Sequence, residues 1–409
     1  MKQPSSAGFD GHDFNYPEES ATYWLARLRL REGERLFLRG EFSHARYQSL
    51  NSYSAGEPTD ALADLLIRPL RGSRNPFLAG NRRDGRGRAY LVEVRDAVPP
   101  AAGERRQPNT LYARPEGDAP IELLYRVYEP DRGLRLAGGA GLPRPRLRTA
   151  DGSVLRDRAA CGTVNDPDRR ILVLTTPESQ WAIATHAPGC DPETAPAVDP
   201  PRWKRFFNLD YARLGFALGC SEAAEEAHQQ VPHEDRGGFY SNRDIRYLYA
   251  PLNRGHGPLL VVRAKMPTFP RTYRGARRMA GGQVRFWSLC STEGPVTTRA
   301  EDCLADRQVP LSPGRRFTIV VSRPEDRPAN AVRRCGVGWL RWALRGDAAG
   351  NPDFGFLIIR NMLAAPGFRE AIQRIERSGS EREVMGAYFP RSSYSTKAQF
   401  ERLGCPASG

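Results

Sequence analysis

Two stretches of this chain, 239 residues apart, spell nearly the same strand. Arg46-Tyr47-Gln48-Ser49-Leu50-Asn51-Ser52 and Arg285-Phe286-Trp287-Ser288-Leu289-Cys290-Ser291 share the pattern R-[YF]-x-S-L-x-S. Downstream, Asp60-Ala61-Leu62-Ala63-Asp64 matches Asp302-Cys303-Leu304-Ala305-Asp306, and Pro69-Leu70 matches Pro310-Leu311, at offsets of 242 and 241. Looser matches keep the order: Leu36–Arg39 with Leu260–Arg263, Arg88–Val94 with Arg316–Ser322, and Leu123–Tyr128 with Leu357–Met362. A repeat of this kind constrains the fold more than any local signal, because both copies must bury the same faces. The sequence therefore predicts a tandem duplication.

Each copy reads as β. Its segments are short, rich in Leu, Val, Ile, Tyr and Phe, and bounded by Gly, Pro, Asn and Asp. Leu91-Val92-Glu93-Val94-Arg95 alternates, and Phe317-Thr318-Ile319-Val320-Val321 is a compact apolar run. The expected fold is mainly β: two tandem related antiparallel β-sandwich (jelly-roll-like) domains, with a few helices in the connection and at the C-terminus. The expected boundaries are an N-terminal arm over 1–19, a first sandwich over 20–150, a connection over 151–240, a second sandwich over 241–380 and a tail over 381–409. Within the connection a strand is expected at Arg170–Thr176 and helical character over 202–230, with Ser221 as an N-cap. Phe368, Ile372 and Ile375 predict a late helix over Pro366–Glu376.

Composition enters as a filter. The chain has 409 residues, with 61 Lys+Arg against 47 Asp+Glu, a net charge of +14. Such a surplus suggests nucleic acid, but the arginines recur singly, often beside acids, and no block of five or six like charges occurs. The pattern argues for a dispersed basic surface and against a nucleic-acid partner. No run of about 18 apolar residues is present, so no membrane span is expected. The seven cysteines have no C-x-x-C and no zinc-finger spacing, which points to disulfides in an oxidising compartment and to at least one unpaired thiol. Cys290 and Cys303 exist only in the second copy, either side of a turn-rich link, and are the expected pair; Cys405 is placed to staple the tail. For Cys161, disulfide pairing is favoured over a nucleophile. Met1–Ser6 lacks an apolar signal core. Either a signal peptide has been removed or the chain is cytoplasmic; a secreted or periplasmic location is the expectation.

The motifs Ala21-Thr22-Tyr23-Trp24, His44-Ala45-Arg46-Tyr47, Arg74-Asn75-Pro76-Phe77, Gly281–Cys290 and Asp326-Arg327-Pro328-Ala329-Asn330 carry a resemblance. Over nearly its full length the chain resembles a family of largely uncharacterised exported bacterial proteins. The resemblance implies a secreted or periplasmic setting and no established reaction.

What both copies share should maintain the fold, and what one copy has gained should serve a site. Arg46/Arg285 and Asp60/Asp302 (or Asp64/Asp306) are placed to pair as buried bridges. Arg126 and Arg360, alone in apolar strands, are bridge members or anion ligands. His44 occurs in one copy only and shares a strand face with Arg46. It is a candidate general base beside an arginine, the alternative being a histidine bonded within the sandwich. The insertion Lys265–Arg278 interleaves Lys265, Arg271, Arg274, Arg277 and Arg278 with Phe269 and Tyr273, either a grip for an anion or a solvated basic loop. Tyr247 and Tyr249 would line a groove between the domains or pack in the core. No phosphate loop, dinucleotide fingerprint or G-x-S-x-G elbow occurs.

The expected function is binding of an anionic or polyhydroxylated small molecule at the inter-domain cleft, without organic cofactor or metal. Acid–base chemistry of hydrolase or lyase type would be carried by His44 and Tyr273, with Arg46, Arg271, Arg274, Arg285 and Arg360 holding substrate. The alternative is a non-catalytic envelope or interaction module.

Overall fold

The computed structural model describes residues 13–101, 103–168, 172–187, 189–231 and 233–405. The protein is mainly β. The first half contains β1 (Ala21–Leu28), β2 (Arg35–Glu41), β3 (Ala45–Ser54), β4 (Glu57–Ala63), β5 (Ala89–Arg95), β6 (Thr110–Tyr112), β7 (Ile121–Pro130), β8 (Arg144–Arg148) and β9 (Val154–Arg156). The connection holds α1 (Asp157–Val164), α2 (Glu178–Thr185), β10 (Lys204–Phe206), α3 (Leu209–Leu218) and α4 (Glu222–Gln230). The second half holds β11 (Ile245–Asn253), β12 (Leu259–Lys265), β13 (Phe286–Thr292), β14 (Ala300–Ala305), β15 (Arg316–Ser322), β16 (Val337–Arg341) and β17 (Phe354–Met362). It closes with α5 (Glu381–Met385), β18 (Arg391–Ser395) and α6 (Lys397–Glu401).

These strands form four sheets. One inner sheet runs β1-β7-β3-β4 and the other β10-β11-β17-β13-β14; the outer sheets run β6-β5-β2-β8-β9 and β16-β15-β12-β18. The order of the first inner sheet recurs in the second, strand for strand. The expectation of purely antiparallel sheets does not hold: β6 joins β5 and β16 joins β15 in parallel.

Layering follows from which faces are apolar. Trp24, Leu50, Tyr125 and Val127 of the first inner sheet share a core with Leu36, Leu38, Val92 and Leu147 of the outer one. Leu248, Leu289, Leu357 and Ile359 share another with Leu260, Val262, Ile319 and Val321. The remaining faces of the two inner sheets meet each other through Ala21, Tyr47, Ala63, Tyr128, Ile245, Phe286, Ala305 and Met362. β3, β13 and β17 are consequently buried along their whole length, and β3 and β13 carry the strongest repeat signal.

The connection departs from its sequence reading. Arg170 and Ile171 of the expected strand lie outside the described residues, and Leu172–Thr176 form no strand. That segment spends its N–H groups elsewhere: Leu174 donates to Asn15 Oδ1 (3.0 Å) and Thr176 to the Pro295 carbonyl (2.7 Å). Lys204–Phe206 is an edge strand on β11, not helix. Ser221 does cap α4, its hydroxyl accepting from Ala224 N–H at 3.0 Å. The helix expected over Pro366–Glu376 is replaced by successive turns with one 3₁₀ turn at Ile372–Arg374. Phe368, Ile372 and Ile375 are buried as the spacing required, but three- and four-residue spacing is equally served by i→i−3 turns.

The disulfides are Cys190–Cys220, Cys290–Cys303 and Cys335–Cys405, the last fastening the tail. Cys161 is free and exposed on α1, contrary to the pairing expected of it. Three disulfides fit an oxidising environment. Among the described residues, no helix is long and apolar enough to cross a membrane.

Candidate functional site

A cavity of about 160 Å³ opens between the two halves. Its walls come from β1 and β7, from β11 and β17, from α3, and from two turns, 14–17 and 238–242. An engineered protein cavity of roughly 150 Å³ takes up benzene, so the space suits a small ring.

The two turns are built alike. Asn15 and Tyr16 have φ of 60° and 51°, and Phe239 and Tyr240 both have 53°. Left-handed backbone at bulky residues is strained, and such strain concentrates where a surface must present particular side chains. All four residues line the cavity. Each turn precedes its strand by the same distance, and its hydrogen bonds recur. Glu18 N–H donates to Tyr23 Oη (3.0 Å) and Asn242 N–H to Tyr247 Oη (3.4 Å). Ser20 N–H donates to Glu18 Oε1 (3.2 Å) and Asp244 N–H to Asn242 Oδ1 (3.0 Å).

Arg126 and Arg360 occupy matching places on β7 and β17, opposite Tyr23 and Tyr247. Each crosses to the other half's turn: Arg126 donates to the Tyr240 carbonyl, Arg360 to the Tyr16 carbonyl at 2.8 Å. Their other partners differ. Arg126 donates to Asn51 Oδ1 and to Tyr53 Oη, both at 2.6 Å. Arg360 pairs with the Glu18 carboxylate at 3.3 Å and approaches Cys290 Sγ at 2.8 Å. Burial pushes the Tyr53 phenol up to about 12, so it meets Arg126 as a neutral group. Asp244 feels the field of Arg126 but accepts from Tyr47 Oη at 2.5 Å, and burial raises its carboxyl above the usual range.

Aromatic rings make most of the remaining wall. Tyr16 meets Phe239 edge-on at 5.2 Å and Phe356 at 6.0 Å; Tyr249 lies 5.5 Å from Phe356 and 5.8 Å from Phe216. Burial pushes the Tyr16 and Tyr128 phenols well above their ordinary value, which keeps them neutral donors.

Of the expected site residues, Arg360 lines this cavity, as do Arg126, Tyr247 and Tyr249. The others lie elsewhere. His44 is half-buried just before β3; its N–H donates to the Gly138 carbonyl (2.9 Å) and its carbonyl accepts from Asp131 (2.9 Å). Burial, helped by Arg88, lowers its pKa. Arg46 is fully buried and pairs with Asp306 (2.5 Å) and Glu129 (3.2 Å). Arg285 reaches Asp64 at 3.4 Å. The arginines and aspartates do pair, but each bridge runs to the opposite half. Asp60 instead holds Arg106 (2.6 Å), and Asp302 accepts the Arg341 N–H (2.8 Å). In the 265–278 insertion, Phe269 packs against Arg46 (5.3 Å) and Tyr273 lies under Arg307 (3.9 Å), while Arg271 and Arg274 are exposed.

Sequence reasoning missed Tyr16, Phe206, Phe216, Phe239 and Tyr240. A faint signal exists: Phe14-Asn15-Tyr16 and Gly238-Phe239-Tyr240 stand equally far ahead of their strands.

No family model and no curated protein matches the chain. Among solved structures it is similar to an uncharacterised protein from Burkholderia cenocepacia, at 12% identity and a TM-score of 0.46, over 95% of this chain and 79% of that one. It is also similar to a protein from Vibrio parahaemolyticus, at 11% identity and a TM-score of 0.38, over 93% of this chain and 90% of that one.

Proposed function

We propose that this is an exported binding protein, built of two duplicated β-sandwich halves near 20–150 and 241–380, that holds a small anionic molecule with a flat apolar body in the cavity between them. Arg126 carries the reading. It is 2% exposed and stands on the cavity wall. Among the described residues, its hydrogen bonds go to neutral acceptors and no carboxylate lies within salt-bridge distance. A buried guanidinium without an ion-pair partner is costly, and a ligand carboxylate, with two oxygens matching the guanidinium fork, would supply one. The ring-lined walls favour a flat apolar body over a polyhydroxylated one. The recurring strand order and the exchanged bridges support the duplication, and the three disulfides support export.

Acid–base chemistry at His44 and Tyr273 would have to run outside this cavity, so binding without catalysis is the function the geometry favours. Calorimetric titration with benzoate and its neutral isostere benzamide tests it. Benzoate is expected to bind at least about tenfold more tightly, the scale of one charge-assisted hydrogen bond. Arg126→Met should erase that preference. Equal affinity for the two compounds, or no binding of either, would overturn the proposal.

A further inference from the structure

We infer that Glu18 sets the charge of the ligand this cavity accepts: it neutralises one of two matched arginines, so the site takes a monoanion and rejects a dianion. The inference rests on the binding reading above and goes beyond it by assigning a specificity-determining residue.

Its basis is a comparison the molecule makes with itself. Glu18 and Asn242 hold equivalent places, since the turn bonds that fix one are repeated around the other. Glu18 sits behind the cavity wall, at the Ser288/Arg360 strand pair, whereas Asn242 stands on the wall, bonded to Asn51, the neighbour of Arg126. At one place the side chain is an acid and at the other a neutral amide. The Glu18 carboxylate accepts from Ser288 Oγ (2.6 Å) and faces Arg360 Nη1 (3.3 Å), with its side chain fully enclosed. The Asn242 amide accepts from Asn51 Nδ2 (3.4 Å) and donates to Tyr47 Oη (2.9 Å). It brings no charge to Arg126.

Among the described residues three arginines stand on the cavity wall. Arg213 is partly exposed and lies 3.8 Å from Asp210; the two buried ones reach the cavity with different net charge. Arg360 arrives paired from behind, Arg126 arrives unpaired. A ligand with one anionic group satisfies Arg126 and leaves neither buried arginine without an ion-pair partner. A second anionic group would meet an arginine already compensated and a buried carboxylate close behind it, and its desolvation would go unrewarded. Glu18 does not line the cavity, so it acts through Arg360 and is a positioning residue for charge, not a contact.

The test uses the full chain, with benzoate as monoanion and isophthalate and terephthalate as dianions. The wild-type protein is expected to bind benzoate at least about tenfold more tightly than either dianion. Glu18→Gln, which keeps the shape and the bond from Ser288, should shift the ratio toward at least one dianion by about tenfold or more. The converse variant, Asn242→Asp, places an acid near Arg126 on the cavity wall and should weaken benzoate by a similar factor. It gives an independent answer if Glu18→Gln fails to fold. Wild-type protein that ignores benzoate would defeat the binding reading itself. Benzoate binding with an unchanged monoanion-to-dianion ratio in Glu18→Gln, or with unchanged benzoate affinity in Asn242→Asp, would overturn the role of Glu18 and leave the binding reading standing.

Discussion

Asp64 and Asp306 show how much a buried carboxylate depends on its partner's geometry. Both accept a backbone N–H from the middle of the repeated motif, Gln48 for one and Trp287 for the other, at 3.0 Å. Asp306 then receives Arg46 at 2.5 and 2.7 Å. Asp64 receives Arg285 only at 3.4 and 3.5 Å, because Arg285 also serves the carbonyls of Arg46 and Phe77. Burial raises both carboxyls, Asp306 to about 6 against the pull of Arg46 and Asp64 further, to about 7, against that of Arg285. A carboxyl raised in the folded state keeps a proton that the unfolded chain, with a pKa of about 3.9, has released. Its contribution to stability is therefore present at low pH and lost as pH rises from about 4 to about 7. Asp64→Asn removes that titration and keeps the acceptor for Gln48. Relative to wild type, the variant should gain stability between pH 5 and 7.5, by at most about 1.4 kcal/mol per pH unit. Denaturant unfolding at both pH values reads the difference directly. A difference that does not move with pH would mean that Arg285 holds Asp64 ionised throughout.

At the scale of elements, the tail shows what a staple contributes. β18 adds to the edge of an outer sheet through β12, and α6 buries Phe400 at 4% exposure. Asn330 donates to the Phe400 and Gly404 carbonyls at 3.0 and 2.9 Å, and Cys335–Cys405 closes a separation of 70 residues. A loop of that length corresponds to roughly 4 kcal/mol in the chain-entropy account. Replacing both cysteines by alanine should lower the melting temperature by several degrees and open the segment after β18 to protease first. An unchanged melting curve would show that Phe400 and Asn330 hold the tail unaided. The same scale explains what was legible in the sequence. β3 and β13 are buried on both faces, so every position is constrained and the repeat survives in letters. Arg126 and Arg360 stood out because an arginine in an apolar strand needs a partner. Of the cavity rings, Tyr247 and Tyr249 stood out by their alternation and the others did not. Tyr16, Phe239 and Tyr240 reach the cavity from left-handed turns, whose aromatic residues follow neither strand nor helix period. Phe216 sits on a helix whose spacing shows an apolar face but not what that face meets. The 366–376 segment misled because burial period and hydrogen-bond pattern are separate properties.

For the whole molecule, the meeting of the inner sheets has the form of a two-fold interface made within one chain. Ala21 and Ile245, Tyr47 and Phe286, Ala63 and Ala305, and Tyr128 and Met362 are matched pairs in one apolar cluster. The buried bridges exchange across it, Arg46 to Asp306 and Arg285 to Asp64. An interface of this kind, in which residue i meets j and j meets i, is what self-association of identical subunits produces. Here Asp306 supplies a counterion for the other half's Arg46 and Asp64 an acceptor for the other half's Arg285, so the halves cannot part without stranding buried polar groups. The halves should therefore unfold together. Amide exchange at Val92 in β5 and Ile319 in β15, both fully buried in opposite outer sheets, should report the same opening free energy. Asp306→Asn should lower both by about 3 kcal/mol, the low end for a broken buried pair because Glu129 still reaches Arg46. If only Ile319 loses protection, the halves open independently and the exchanged bridges do not couple them. That outcome would also separate the walls of the cavity in their stability, since Arg126 and Arg360 each depend on a turn carried by the other half.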